Sequence, residues 1–115
     1  MDEVFNVSVV VPTFNRRDYL APLLNSLERQ RLAPPFEVLV VDNNSNDDTR
    51  QVVESFQARR TLSLAYVFEP RRGVSHARNA GIARAKGAIV AFIDDDEEAS
   101  EDWVATVKRF HVRST

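Results

Sequence analysis

The chain predicts an α/β fold of three layers (αβα), with helices on both faces of a mostly parallel sheet and strand order 3-2-1-4. Three observations carry that reading. Four short apolar runs punctuate the sequence, longer amphipathic or small-residue segments separate them, and a proline or an acidic residue closes each run. That alternation is the pattern of βαβ units. With 115 residues, residues 1–115 are read as a single domain, large enough to bury a core but small for an α/β protein.

The first strand is expected at residues 7–11 (VSVVV), rich in β-branched side chains and closed by Pro12, which has no N–H for a ladder. Tyr19, Leu20, Leu23, Leu24 and Leu27 then recur at helical spacing. Pro22 falls inside that helix, so its start is placed near Asp18. Pro34 and Pro35 mark the turn into the second run, residues 36–41, which ends at Asp42. In the polar turn that follows, Ser45 with Asp48 three residues on reads as a capping box for a helix carrying Val52, Val53 and Phe56. The third run, residues 62–68, ends at Glu69-Pro70. A small-residue helix through Ala77, Ala80, Gly81 and Ala83 follows, suited to close packing on a sheet, with Gly87 as its C′ residue. The fourth run, residues 88–93, delivers Asp94, Asp95 and Asp96, and a last helix carries Trp103, Val104, Val107 and Phe110. No strand follows before Thr115, so the chain is expected to be cut short of a second half.

Composition narrows the function classes. A formal net charge of −2 carries no basic excess, so nucleic acid is not an expected partner. The absence of cysteine excludes disulfides and thiolate metal sites and fits a reducing compartment. No stretch approaches the roughly 20 apolar residues of a membrane span. Met1-Asp2-Glu3 is an acidic start without the pattern of a signal peptide. The expected location is cytoplasmic, with peripheral attachment to the inner face of a membrane left open.

In open α/β sheets, ligands bind beyond the carboxyl ends of the strands where the strand order reverses. Order 3-2-1-4 makes strands one and four neighbours there, bringing Pro12-Thr13, Asp42 and the three aspartates toward one crevice. Neighbouring carboxylates raise each other's pKa, so a cluster that stays ionised calls for a cation. Oxygen-only ligands point to Mg²⁺ or Mn²⁺. Such an ion suits a diphosphate, Asp42 can accept a hydrogen bond from a base N–H, and Arg78 with Ser75 and Asn79 adds a cation and donors at a helix start. Together they describe a nucleotide diphosphate clamp.

Residues 9–16 (VVVPTFNR), 40–49 (VVDNNSNDDT), 73–82 (GVSHARNAGI) and 92–96 (FIDDD) occur in this order. The set resembles the amino-terminal, nucleotide-sugar-binding half of a family 2 glycosyltransferase, a Rossmann-like GT-A fold. The last block ends in that family's D-x-D motif. The resemblance implies a nucleotide-binding set of Pro12, Thr13, Asn15, Asp42, Asn44, Arg78 and Asp95, with Asp42 at the base and Asp95 at the ribose. It assigns Mg²⁺ or Mn²⁺ to Asp94 and Asp96. It further implies a UDP- or GDP-sugar donor, inverting transfer, and a saccharide, lipid or protein acceptor. The family's catalytic base lies in the second half, expected beyond Thr115. Glu101 and Asp102 instead suit a helix start, and Glu97 and Glu98 a solvated turn.

Other residues carry simpler readings. His76 suits a structural place at a helix start, His111 the surface and Trp103 the core. Arg71 and Arg72 are read as loose surface arginines able to steer an anion, and Asn43 and Asn44 fit a tight turn as well as a ligand. Two alternatives stand beside the transferase, a non-catalytic nucleotide-sugar-binding fragment and a Mg²⁺-dependent phospho-receiver-like domain. The receiver would want an acidic pair at the end of strand one and a late lysine. A dehydrogenase is disfavoured, because no G-x-G-x-x-G follows strand one. Strand four is a possible open edge through which copies pair.

Overall fold

A computed structural model describes residues 4–110. Four strands, β1 (Val7–Thr13), β2 (Phe36–Asp42), β3 (Ser63–Phe68) and β4 (Ile89–Phe92), alternate with four helices, α1 (Arg17–Glu28), α2 (Thr49–Arg59), α3 (Val74–Arg84) and α4 (Trp103–Phe110). All strand pairs are parallel, in the order β3-β2-β1-β4. That is the expected order. It also sets the receiver-like alternative aside, because that fold places its first strand between the second and third.

Side chains of β1 alternate between two cores, as the strand period of two requires. Val7, Val9 and Val11 join Leu20, Leu23, Leu24 and Leu27 of α1, Val53 and Phe56 of α2, and Val104 and Val107 of α4. Val10 faces the opposite way, with Leu39, Val41, Val67 and Ala77 of α3. With both faces covered, β1 and β2 are apolar nearly throughout, and the buried Ser8 and Glu37 that interrupt them hydrogen-bond each other at 2.6 Å. Trp103 packs partly buried against the first core, where the sequence puts it. The side chain of Phe110 and all of His111 lie outside the described residues.

Four local expectations need correction. β1 does not stop at Pro12; it runs to Thr13, with Pro12 opposite Val41. Val10 accepts from the Ile93 N–H on the β4 side, and Thr13 accepts from the Asn43 N–H on the β2 side. Pro12 therefore turns its missing N–H toward the side where β4 has already ended, so no ladder bond is lost. The capping box does not form. Asp48 is the N-cap but its side chain makes no capping bond, and Ser45 Oγ instead accepts the Asn15 N–H at 2.9 Å. Asp47 Oδ1 takes the Thr49 N–H at 3.1 Å and the Thr49 hydroxyl.

Gly87 is not a helix cap either. The C-cap of α3 is Ala85, in an extended conformation, and Gly87 is buried where its N–H donates to Ser8 Oγ at 2.7 Å. A Cβ there would lie 2.7 Å from the Ser8 backbone nitrogen. The glycine serves close approach, not a left-handed turn. Finally, Arg71 is not loose. Its guanidinium holds the buried Glu69 at 3.1 Å and keeps that carboxyl below the usual carboxylate range.

Candidate functional site

Beyond the carboxyl ends of β1 and β4 lies a crevice of about 270 Å³, floored by Pro12, Thr13 and Asn43 and walled by Phe14, Val74 and Asp95. Its volume sits near the lower end of the ~300–1,000 Å³ usual for small-molecule sites. Thr13 Oγ1 donates to Asp95 Oδ2 at 2.9 Å and joins the end of β1 to the aspartate turn. That turn closes when the Glu97 N–H donates to the Asp94 carbonyl at 3.0 Å, while the Asp94 N–H donates to Glu97 Oε1 at 3.2 Å. It leaves Asp94 and Asp96 exposed and Asp95 half-buried. Burial pushes the Asp95 carboxyl above its ordinary range, against the Thr13 hydrogen bond and the nearby Arg16 charge, with Asp96 and Asp94 adding to the rise. Arg16, also on the crevice wall, stands 3.7 Å from Asp96.

Of the residues the sequence nominates, Pro12, Thr13 and Asp95 meet on the crevice wall. Asp42 ends level with Thr13 one strand away but is 4% exposed. Its Oδ1 accepts the Ser45 N–H at 2.9 Å and its Oδ2 accepts the Tyr66 hydroxyl at 2.6 Å. Asn15 lies in the left-handed region (φ 52°), and its Oδ1 accepts the Asn46 N–H at 2.7 Å. Asn44 is also left-handed, at φ 70°, within the turn after β2. Arg78 is exposed, its guanidinium 5.3 Å from the centre of the Phe92 ring and outside the crevice wall.

Sequence reasoning gave Asn43 only a turn-or-ligand reading. Its amide donates to the carbonyls of Glu69 at 3.0 Å and Arg71 at 2.8 Å, while its Oδ1 accepts the Gly73 N–H at 2.9 Å. Asn43 thereby fastens the loop that launches α3 against the ends of β1 and β2. Nothing in the run Asn43-Asn44 separates that staple from its neighbour. Phe14, to which the sequence alone assigns no role, carries Arg72 4.4 Å above its ring and forms an apolar, cation-capped wall. Two aromatic–guanidinium pairs therefore flank the strand ends.

Whether the aspartate turn suits a divalent ion follows from its donor chemistry. Among the described residues, no group of three or more His, Cys, Asp or Glu side chains converges on one point. Magnesium-type sites are typically completed by water and substrate phosphate around one or two carboxylates, not by an all-protein cage. Asp94 and Asp96, exposed on one turn and oxygen-only, fit that pattern.

The sequence model of glycosyl transferase family 2 matches residues 8–113. Validoxylamine A glucosyltransferase of Streptomyces hygroscopicus subsp. limoneus is 42% identical over 108 residues, covering 91% of this chain and 23% of that protein. The structure of S. aureus TarS in complex with UDP aligns at a TM-score of 0.82 and 35% identity, over 92% of this chain and 32% of that one. The mannosyltransferase PcManGT from Pyrobaculum calidifontis, in complex with GDP-Man and Mn²⁺, aligns at 0.81 and 33% identity, again over 92% and 32%. This chain thus spans about a quarter of the curated glucosyltransferase and about a third of each solved chain. The GT-A architecture that the resemblance implies is the one these glycosyltransferases share with it, and the strand order agrees. Matched from Ser8 almost to its end, the chain belongs to glycosyl transferase family 2.

Proposed function

We propose that this chain is the donor-binding part, a single GT-A half-domain, of a glycosyltransferase that takes a sugar linked to UDP or GDP and transfers it with inversion. The observation that carries the reading is the 2.9 Å bond from Thr13 to Asp95, which joins a nucleoside-side strand end to the aspartate turn. UDP in one structural relative and GDP-Man with Mn²⁺ in another support the donor class. In this reading Pro12, Thr13, Asn15 and Asn44 shape the nucleoside pocket, Asp42 accepts from the base, Asp95 from a ribose hydroxyl, and Arg78 serves the nucleotide. Asp94 and Asp96 would hold Mg²⁺ or Mn²⁺, whose chemistry when bound is to stabilise charge on the leaving diphosphate. The chain's own contribution is orientation. Thr13 and Asp95 fix the ribose end, and the Asn43 staple sets the wall opposite.

The base that deprotonates the acceptor, and the choice of saccharide, lipid or protein acceptor, belong in this reading to the remainder of a longer protein. Taken alone, the chain binds donor without turnover. Among the described residues no helix is long and apolar enough to cross a membrane. A cytoplasmic location, including the inner face of a membrane, and pairing through the β4 edge complete the proposal. Calorimetric titration of UDP and GDP with and without Mn²⁺ tests it. Binding should require the ion, and Asp96→Ala should weaken it by about tenfold or more. Metal-independent binding, or equal affinity in Asp96→Ala, would remove the clamp from consideration.

A further inference from the structure

We infer that Tyr66 is a positioning residue for the nucleotide base, acting through Asp42. The inference rests on the reading above, in which Asp42 meets the base. Asp42 is the last residue of β2 and Tyr66 lies on β3, opposite Val40. The tyrosine hydroxyl reaches along the strands to donate to Asp42 Oδ2 at 2.6 Å, while the Ser45 N–H takes Oδ1 at 2.9 Å. A carboxylate offers about four acceptor positions. Two are held here by donors on different elements, one on a strand and one on a turn, so the carboxylate plane cannot rotate.

Burial alone would not fix that plane, and it would make an unpaired carboxylate costly. Neither fixed donor carries a formal charge. With these two bonds made, the remaining acceptor positions of Asp42 point in set directions. Tyr66 is itself held from the other side, with the Arg50 guanidinium 5.2 Å above its ring. The arrangement favours a base that presents a ring N–H, such as uracil or guanine. It opposes cytosine, whose ring nitrogen presents a lone pair to the carboxylate. Tyr66 thus converts a buried acidic residue into a directional reader of ring N–H groups.

Tyr66→Phe removes the hydroxyl and keeps the ring. Calorimetry on wild type and variant, with UDP, CDP and inorganic pyrophosphate, and on wild type with GDP, each with Mn²⁺, separates the possible outcomes. The wild type should prefer UDP over CDP. In Tyr66→Phe, UDP binding should weaken about tenfold, the size expected for one hydrogen bond to a charged group. The UDP-to-CDP ratio should fall with it, while pyrophosphate binding stays unchanged. An unchanged ratio, or equal loss for all three ligands, overturns the positioning role, the latter because it marks a general structural defect. Wild type that fails to bind both UDP and GDP overturns the nucleotide reading itself. Wild type that binds UDP and CDP equally overturns only the inference. If Tyr66→Phe fails to fold by circular dichroism, Arg50→Ala frees the ring while keeping the hydroxyl. It should lower the same ratio, and an unchanged ratio there overturns the proposal.

Discussion

Gly81 carries no side chain because Val10 occupies the space one would need. A Cβ built there would sit 2.4 Å from Val10 Cγ1 and 3.3 Å from Val41 Cγ2, and both valines are fully buried. Replacing a helical glycine by alanine ordinarily gains up to about 1 kcal/mol. Overpacking a core costs about 1–3 kcal/mol, and valines with one preferred rotamer yield little. The steric effect wins, so Gly81→Ala should lower unfolding stability by roughly 1–2 kcal/mol in urea titration. The need for small residues in α3 was legible from the run itself. Which glycine faces Val10, and that Gly87 serves approach to Ser8 and not a helix cap, was not. Both depend on which strand lies under the helix. The Asp42 site shows the same divide. A strand-terminal aspartate is visible in sequence, and Ser45 lies in the same block three residues on, but Tyr66 stands 24 residues away and belongs to no recognisable motif.

α1 shows what an element tolerates when packing supports it. Pro22 lies inside Arg17–Glu28 on the exposed side, while Leu20, Leu23, Leu24 and Leu27 bury the other. A proline there forfeits one ladder bond and crowds the carbonyl four residues back, at about 3 kcal/mol in an ordinary helix. The leucines keep the helix whole. Pro22→Ala should therefore raise stability, by about 1–3 kcal/mol read from the urea midpoint and slope. Strand and helix existence followed from periods of two and 3.6, which short windows of sequence carry directly. The loops did not. The β1–α1 and β2–α2 loops are laced together by the bonds of Asn15 with Ser45 and Asn46 and by Arg17 Nη1 to Asp48 Oδ1 at 2.6 Å. A local motif fits Ser45 as a cap, but a partner 30 residues away takes it instead.

At the scale of the molecule, paired charges and one tyrosine shape the pH profile. The hydrogen bond from Arg17 holds the Asp48 carboxyl below its ordinary range, and that from Arg71 does the same for Glu69. Their contribution is complete above the unfolded carboxylate pKa of about 4 and is lost as pH falls through the folded values. Burial, and then the bond to Asp42, raises the Tyr66 hydroxyl. Its contribution is complete below the unfolded tyrosine pKa of about 10 and is lost as pH climbs toward the folded value. Thermal midpoints should thus drop below pH 4 and again above pH 10, with Tyr66→Phe flattening the alkaline limb and Glu69→Gln the acid one. By itself, the sequence determined the α/β class, the four strands, the sheet order and the identity of the aspartate turn. Class, strands and aspartate turn follow from local periodicity and charge clustering, which act between near neighbours, and the sheet order from the topology rules that govern α/β connections. Only the tertiary structure decided that Asp95 turns to Thr13 while Asp94 and Asp96 face solvent, and that Tyr66 holds Asp42. The Thr13–Asp95 bond joins residues 82 apart in the chain, and a contact at that separation exists only once β4 has been laid beside β1.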